Sequence, residues 1–213
     1  MKDVYMSVSL GNREKRREEI LQAASEVFFE AGYKGASIDA VIEKVGGSKR
    51  AIYSYFGSKK ELFAAIVTEL SNRALAALEP DELGGHDVQA VLTDFGQRVL
   101  EVVMSPTTLA LYRAVVAEGT RFPELAEVFF NNGPGRASVR LTEVLEQFKH
   151  KGQIEVQDCQ LAAEYFIGML RSDRHLRTTM GLQEPPGEME RNQMVQQAVK
   201  IFLDGCKTHR NKA

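Results

Sequence analysis

Cysteine is nearly absent from this chain: Cys159 and Cys206 are the only two in 213 residues. They are too few for a disulfide framework and stand at no metal-ligand spacing. Two buried, inert thiols in a reducing compartment are expected, with a redox-sensing pair as the sharper alternative. No apolar run approaches the roughly 20 residues that a membrane-spanning helix needs. Met1 to Leu10 mixes charged and small polar residues where a secretory leader would be apolar. A cytoplasmic protein with no membrane partner is therefore expected. Charge of one sign is also missing, since the formal net charge is only -2. Residues 1 to 63 carry 11 Lys/Arg against 9 Asp/Glu, and the remainder is mildly acidic, so any nucleic-acid binding must come from local placement.

Catalytic signatures are lacking too. His86, His150, His175 and His209 are scattered, and no His-Glu-x-x-His, Cys-x-x-Cys or phosphate-cradling glycine loop occurs. An enzyme would need converging acid, base or metal groups, so none is expected, nor any metal or cofactor. No strand signal, internal repeat or low-complexity segment is visible.

What is present is helical periodicity almost throughout, which makes the fold class all-α with about nine helices. The first runs from about Arg13 to Ala31, with Ile20, Ala23, Ala24, Val27, Phe28 and Ala31 on one face. Gly32 suits a left-handed cap. Ser37 caps a second helix with Ile38, Val41, Ile42 and Val45 inside, and Gly46-Gly47 ends it. Ser48 caps a third helix to about Tyr55. Ser58-Lys59-Lys60-Glu61 is a capping box that opens a fourth, to about Leu78. Pro80 to His86 reads as a linker. Further helices are expected over about 87–104, 105–119, 123–151 (interrupted at Gly133-Pro134-Gly135), 158–180 and 188–207. The chain divides into a three-helix domain over 1–57 and a larger one over 58–213, with Ser58 to Leu78 as the connecting helix.

Two short capped helices meeting at a glycine turn form a helix-turn-helix pattern. In the third helix Ile52 and Phe56 are four apart and can face a core, which leaves Lys49, Arg50, Ala51, Tyr53 and Ser54 outside. Arg50 can reach guanine O6 and N7 through its forked guanidinium. Tyr53 offers a ring to a thymine methyl and a hydroxyl to a base edge or phosphate. Lys49 and Tyr55 suit phosphate oxygens, as do Ser37 and Lys59 at helix starts, where free amides point outward. Arg13, Lys15, Arg16 and Arg17 either touch DNA or form an ordinary charged first turn.

Residues 13 to 67 resemble the DNA-binding domain of the TetR family of transcriptional regulators. The likeness lies in Arg-Arg-Glu-Glu-Ile-Leu-Gln-Ala-Ala (16–24), Phe28 to Tyr33, Ser37-Ile38, Ser48-Lys49 and Ile52 through Phe63. Two positions depart from the family pattern. Gly47 stands where an apolar residue is usual, at a cost of ~0.5–1 kcal/mol unless the backbone needs glycine. Arg50-Ala51 replaces a small residue followed by Thr or a similar polar residue, which implies a different base preference.

The second half is similar, less specifically, to the AefR-like branch of that family. The matching stretches are Thr108 to Glu118, Arg121 to Ala126, Gly133-Pro134, Ala162 to Leu170 and Arg174 to Leu176. The resemblance implies a homodimer whose last two helices, at about 158–180 and 188–207, form a four-helix bundle with their mates. It also implies a cavity for a small, mostly apolar effector. Wide apolar faces on both helices fit burial inside the domain and against a partner, and Gly168 would allow close helix approach. Candidate cavity residues are Phe95, Val99, Met104, Leu109, Tyr112, Val116, Phe129, Phe166, Leu170 and His175. The function implied is a ligand-responsive repressor that leaves a palindromic operator when the effector binds. The alternative is a ligand-independent or activating DNA-binding protein of the same fold.

Overall fold

Six helices start where a short polar side chain stands ready to accept an unpaired amide, and each carries that bond. Ser37, Ser48 and Ser58 accept from Ala40, Ala51 and Glu61 at 3.1, 3.2 and 3.2 Å. Asp87, Ser105 and Asp158 accept from Ala90, Thr108 and Leu161 at 2.7, 3.2 and 2.9 Å. The structure, a computed structural model, describes residues 2–76 and 87–206, with side chains from Asn12 onward. Within them the helices are α1 (Lys2–Gly35), α2 (Ile38–Val45), α3 (Lys49–Phe56), α4 (Lys59–Leu75), α5 (Val88–Val103), α6 (Pro106–Glu118), α7 (Pro123–Asn132), α8 (Pro134–His150), α9 (Cys159–Thr179) and α10 (Glu188–Gly205). Gly133, followed by Pro134 at the first position of α8, splits one expected helix into α7 and α8.

Several expectations need adjusting. The α1 backbone runs back to Lys2, upstream of the expected start at Arg13. Gly32 interrupts it with φ 67° and ψ 176°, where the cap was expected. The expected linker at Pro80 to His86 and the end of α4 at Leu78 lie outside the described residues. Gly168 meets nothing within 4 Å, whereas Gly96 of α5 is the point of close approach: a Cβ there would stand 2.9 Å from Val195 and 3.1 Å from Leu170. Inside α9 the backbone of Ser172 takes φ 47° and ψ -170°, a conformation that costs a non-glycine residue ~1–3 kcal/mol.

Two apolar cores meet along α4. The first joins Ile20, Ala24, Val27 and Phe28 of α1 to Ile38, Val41, Ile52 and Phe56, and to Leu62, Phe63, Ile66 and Val67 at the start of α4. It also takes in Leu111, Val115, Leu125 and Phe129, so α6 and α7 lie under the N-terminal helices. Phe28, Tyr33 and Phe63 close on one another, with ring centroids 5.3–5.7 Å apart. The second core begins at Ala74 and Leu75, the other end of α4, and runs through α5, α8, α9 and α10. Phe166 is its centre, against Phe95 at 6.4 Å and Phe202 at 5.1 Å. Each of these rings stabilises the fold by ~1.5–3 kcal/mol through burial. Both cysteines are buried in this second core, and burial pushes Cys159 up to about 11 and Cys206 upward. Thiolate chemistry is suppressed at both.

Candidate nucleic-acid interface and ligand cavity

The turn between α2 and α3 is made by glycine for a backbone reason. Gly46 has φ 73° and Gly47 φ 105°, a region that side chains with a Cβ enter only under strain. Gly47 is thus required by the turn, and the cost entertained for it disappears. Arg16 closes the turn from α1: its Nη2 donates to the carbonyls of Val45 and Gly46 at 3.0 and 2.7 Å. These are among the carbonyls that the end of α2 leaves unpaired. Arg13 lies over the Tyr55 ring at 5.7 Å and Arg17 over the Phe56 ring at 5.5 Å. Three residues of the basic segment therefore brace α3 from behind, which the sequence left open.

With Ile52 only 1% exposed and Phe56 buried, the helix presents its opposite side. Lys49, Arg50, Ala51, Tyr53 and Ser54 are exposed there, Tyr53 at 42%, while Tyr55 is half-buried. Lys49 pairs with Asp39 at 2.7 Å, which raises its pKa and ties the start of α3 to α2. Arg50 has no ion-pair partner among the described residues. The Ser54 hydroxyl donates to the carbonyl of Ala51 at 2.6 Å. Ser37 and Ser48 are exposed helix caps. Lys59 is half-buried: its ammonium stands 4.7 Å from the Tyr33 ring centroid and 3.4 Å from the carbonyl of Lys34, and burial lowers its pKa. The neighbouring Lys60 is exposed. The first turn of a helix points consecutive side chains in different directions, so sequence alone could not choose between the two lysines.

A cavity of about 80 Å³ lies between the two cores. Val99, Tyr112, Phe129 and His175 of the expected set line it. Phe95, Met104, Leu109, Phe166 and Leu170 do not; they are buried among other helices, because the faces expected to look inward are wide enough to fill a core as well. Val116 is 63% exposed: it falls on the outer side of α6, where Leu111 and Val115 are the buried positions. Sequence reasoning missed the contribution of α4, whose Val67, Leu70, Ser71 and Ala74 form one wall. It missed Thr108 and Arg171 as well. Val67, Leu70, Ser71 and Ala74 recur at three- and four-residue steps along one face of α4, and Arg171 stands one turn before His175.

His175 is 6% exposed, and burial with the neighbouring Arg171 cation lowers its pKa to about 4. It is a neutral imidazole near pH 7, edge-on to Tyr112 at 5.2 Å. Arg174 points away, to Gln183 at 2.6 Å and Glu190 at 3.1 Å. A wall so nearly apolar suits a small hydrophobic ligand held in orientation by a few polar groups. Among the described residues no group of three His, Cys, Asp or Glu side chains is placed to hold a metal ion, and no single helix is long and apolar enough to cross a membrane.

Comparison with known proteins gives two family matches. Residues 20–66 match "Bacterial regulatory proteins, tetR family", and residues 90–205 match "AefR-like transcriptional repressor, C-terminal domain". The chain is 32% identical over 123 residues to the HTH-type transcriptional regulator UidR of Escherichia coli K12, covering 54% of this chain and 57% of UidR. It is 44% identical over 55 residues to the HTH-type transcriptional activator FasR of Mycolicibacterium smegmatis, covering 26% of this chain and 25% of FasR. The match thus spans about half of one relative's length and a quarter of the other's. A candidate TetR-family regulator from Mesorhizobium loti superposes with TM-score 0.73 at 24% identity, over 90% of this chain and 96% of that one. The flavonoid-responsive regulator FrrA superposes with TM-score 0.69 at 28% identity, over 92% and 99%.

Proposed function

The chain belongs to the TetR family of bacterial transcriptional regulators, and from that premise we propose that it is a dimeric repressor which a small, mostly apolar effector releases from a palindromic operator. The observation that carries this reading is the split of α3: Ile52 and Phe56 locked into the first core, Lys49, Arg50, Ala51, Tyr53 and Ser54 turned outward. Two such helices, one per subunit, would enter successive major grooves about 34–36 Å apart. Arg50 and Tyr53 would read base edges, while Ser37, Ser48, Lys49, Tyr55 and Lys59 would hold phosphates. Ala51 would sit against the groove floor and Ser54 beside it. The work would take place in the cytoplasm.

The dimer face is supported by exposed apolar side chains on the last two helices. Leu161, Tyr165 and Leu176 lie along α9, Met180 at its C-terminal cap, and Met189 and Ile201 along α10. An apolar surface of that kind, on a soluble fold, favours burial against a second copy. Gly168 lies open among them and leaves room for a partner helix.

Coupling between effector and DNA would run through α4. One end packs Leu62 and Phe63 beneath the reading helices, and the middle lines the cavity with Val67, Leu70, Ser71 and Ala74. An effector that fills the cavity and shifts α4 would change the spacing of the two reading helices. A ~100-fold difference in affinity between the two states, or ~2.7 kcal/mol, would suffice for induction. FrrA, being flavonoid-responsive, favours a flat aromatic compound. The test is operator binding by the full chain, on duplexes selected from a random pool, with and without aromatic compounds. Crosslinking the subunits at fixed spacing should abolish the response; an intact response would overturn the spacing mechanism. A shift indifferent to every compound would favour the ligand-independent reading, and FasR's name as an activator keeps the sign of regulation within the same experiment.

A further inference from the structure

The cavity wall holds one cation with no ion-pair partner among the described residues. Arg171 is the only cation among the lining residues described, and none of them is acidic. Its guanidinium lies over the Tyr112 ring at 5.3 Å and 3.4 Å from Nδ1 of His175. No carboxylate pairs with it among the described residues, although its neighbours on α9, Arg174 and Arg177, are both ion-paired. Arginine only donates, so Nδ1 of His175 accepts and the imidazole proton sits on Nε2. Arg171 and His175 are therefore both donors. Thr108 adds another: its oxygen already accepts from the Ser105 hydroxyl at 3.0 Å, leaving its own proton free.

Arg171 is half-buried, and a carboxylate, which matches the fork of its guanidinium, is the group it would pair with best. Arg171 is also within reach from outside. It lines a groove between α8 and α9 that shares Pro134, Ile167 and Arg171 with the cavity. Glu164 lies in that groove but is engaged by Gln160 at 3.2 Å.

We propose that the effector is an aromatic carboxylic acid, entering by the groove, with its carboxylate on Arg171 and its ring among Tyr112, Phe129 and His175. This rests on the cavity's being the effector site. The acid stays ionised and makes no covalent bond; its carboxylate gives up hydration water and gains the guanidinium as its partner.

The experiment uses the full chain and calorimetric titration with benzoate, cinnamate and 2-naphthoate, each beside its primary amide, and with octanoate as an aliphatic acid. At least one aromatic acid is expected to bind about tenfold or more tightly than its amide and than octanoate. Arg171→Gln should bring acid and amide to within about threefold, while Arg171→Lys, which keeps the charge but loses the fork, should retain a reduced preference for the acid. The melting temperature of each variant reports folding. Amides binding as well as acids, octanoate matching the aromatic acids, no acid binding, or a preference that survives Arg171→Gln would each overturn the proposal. Operator affinity measured on the same samples separates it from the broader reading. If a neutral amide releases the operator, the effector site stands and the anion falls. If a cavity-bound acid leaves operator affinity unchanged, the effector reading itself fails.

Discussion

The reading head and the cavity use arginine in opposite senses. Around α3, Arg13, Arg16 and Arg17 are spent on rings and carbonyls of the protein itself, which leaves Arg50 as an outward cation on a rigid helix. In the cavity the arrangement is inverted: apolar side chains build the enclosure and one cation, Arg171, is turned toward it. The first site is a surface whose specificity comes from being held still. The second is a hollow whose specificity, on the proposal above, would come from what it lacks, a negative charge. The difference teaches that counting basic residues locates neither site; what matters is which cations the protein has already engaged.

The largest test asks whether the two halves are separate at all. Phe63 belongs to the first core and Phe166 to the second, both fully buried. Truncating either to alanine should cost ~3–5 kcal/mol, a fall in melting temperature of roughly 6–20 °C for a chain of this size. Because α4 contributes to both cores, each variant should still melt in one step by calorimetry and by circular dichroism. Two resolved transitions in the Phe166→Ala protein would show the halves to be independent.

A second test isolates the cavity. His175 has its folded pKa lowered to about 4, against about 6.5 for an unfolded histidine. Between those values the unfolded chain binds the extra proton and the folded one does not, so stability rises with pH across that window. The contribution is fully present above pH 6.5 and lost by about pH 4, and amounts to roughly 3 kcal/mol at about 1.36 kcal/mol per pH unit. In His175→Gln this part of the pH dependence should vanish in urea denaturation series at pH 4 to 7, while carboxylate effects stay common to both proteins. Identical slopes would mean that the imidazole is already hydrated.

How much was legible follows from how far apart the residues are. The reading head is written in 27 consecutive residues, where caps, glycines and an i, i+4 apolar pair act locally, so its helices and outward side chains could be read directly. The exception was Arg16, some 30 positions before the carbonyls it caps; no local rule connects them. The cavity gathers residues from α4 to α9, and periodicity says only that a face is apolar, not whether it meets a neighbour or a void. Phe95 and Phe166 therefore looked the same as Val99 and Phe129 in sequence. Val116 shows the finer limit, since Val115 is buried and Val116 is not, a difference of one 100° step around α6.

Returning to the reading head, Arg50→Ala should weaken specific operator binding by ~1–3 kcal/mol and relax one base position. Arg16→Ala should instead weaken binding to every sequence about equally, by roughly 1 kcal/mol, because it loosens the turn without removing a base contact. Binding selection on the two variants checks both. If Arg16→Ala changed the preferred sequence, or Arg50→Ala left it unchanged, the division into bracing and reading arginines would be wrong.

The smallest effect concerns Lys59, which stands between the two roles. Its ammonium already faces the Tyr33 ring and the carbonyl of Lys34, yet it sits at the start of α4 where a phosphate would be welcome. If it reaches DNA, Lys59→Ala should lower the slope of log affinity against log salt by about one phosphate, with no change in sequence preference. If it only packs, the slope should be unaltered and the variant should lose ~0.5–1 kcal/mol of stability from the broken cation–ring contact. The same pair of measurements on Lys60→Ala, whose side chain is exposed, decides which lysine the backbone of the operator meets. An unchanged slope in both would move the phosphate contact off the start of α4 and onto the caps of α2 and α3.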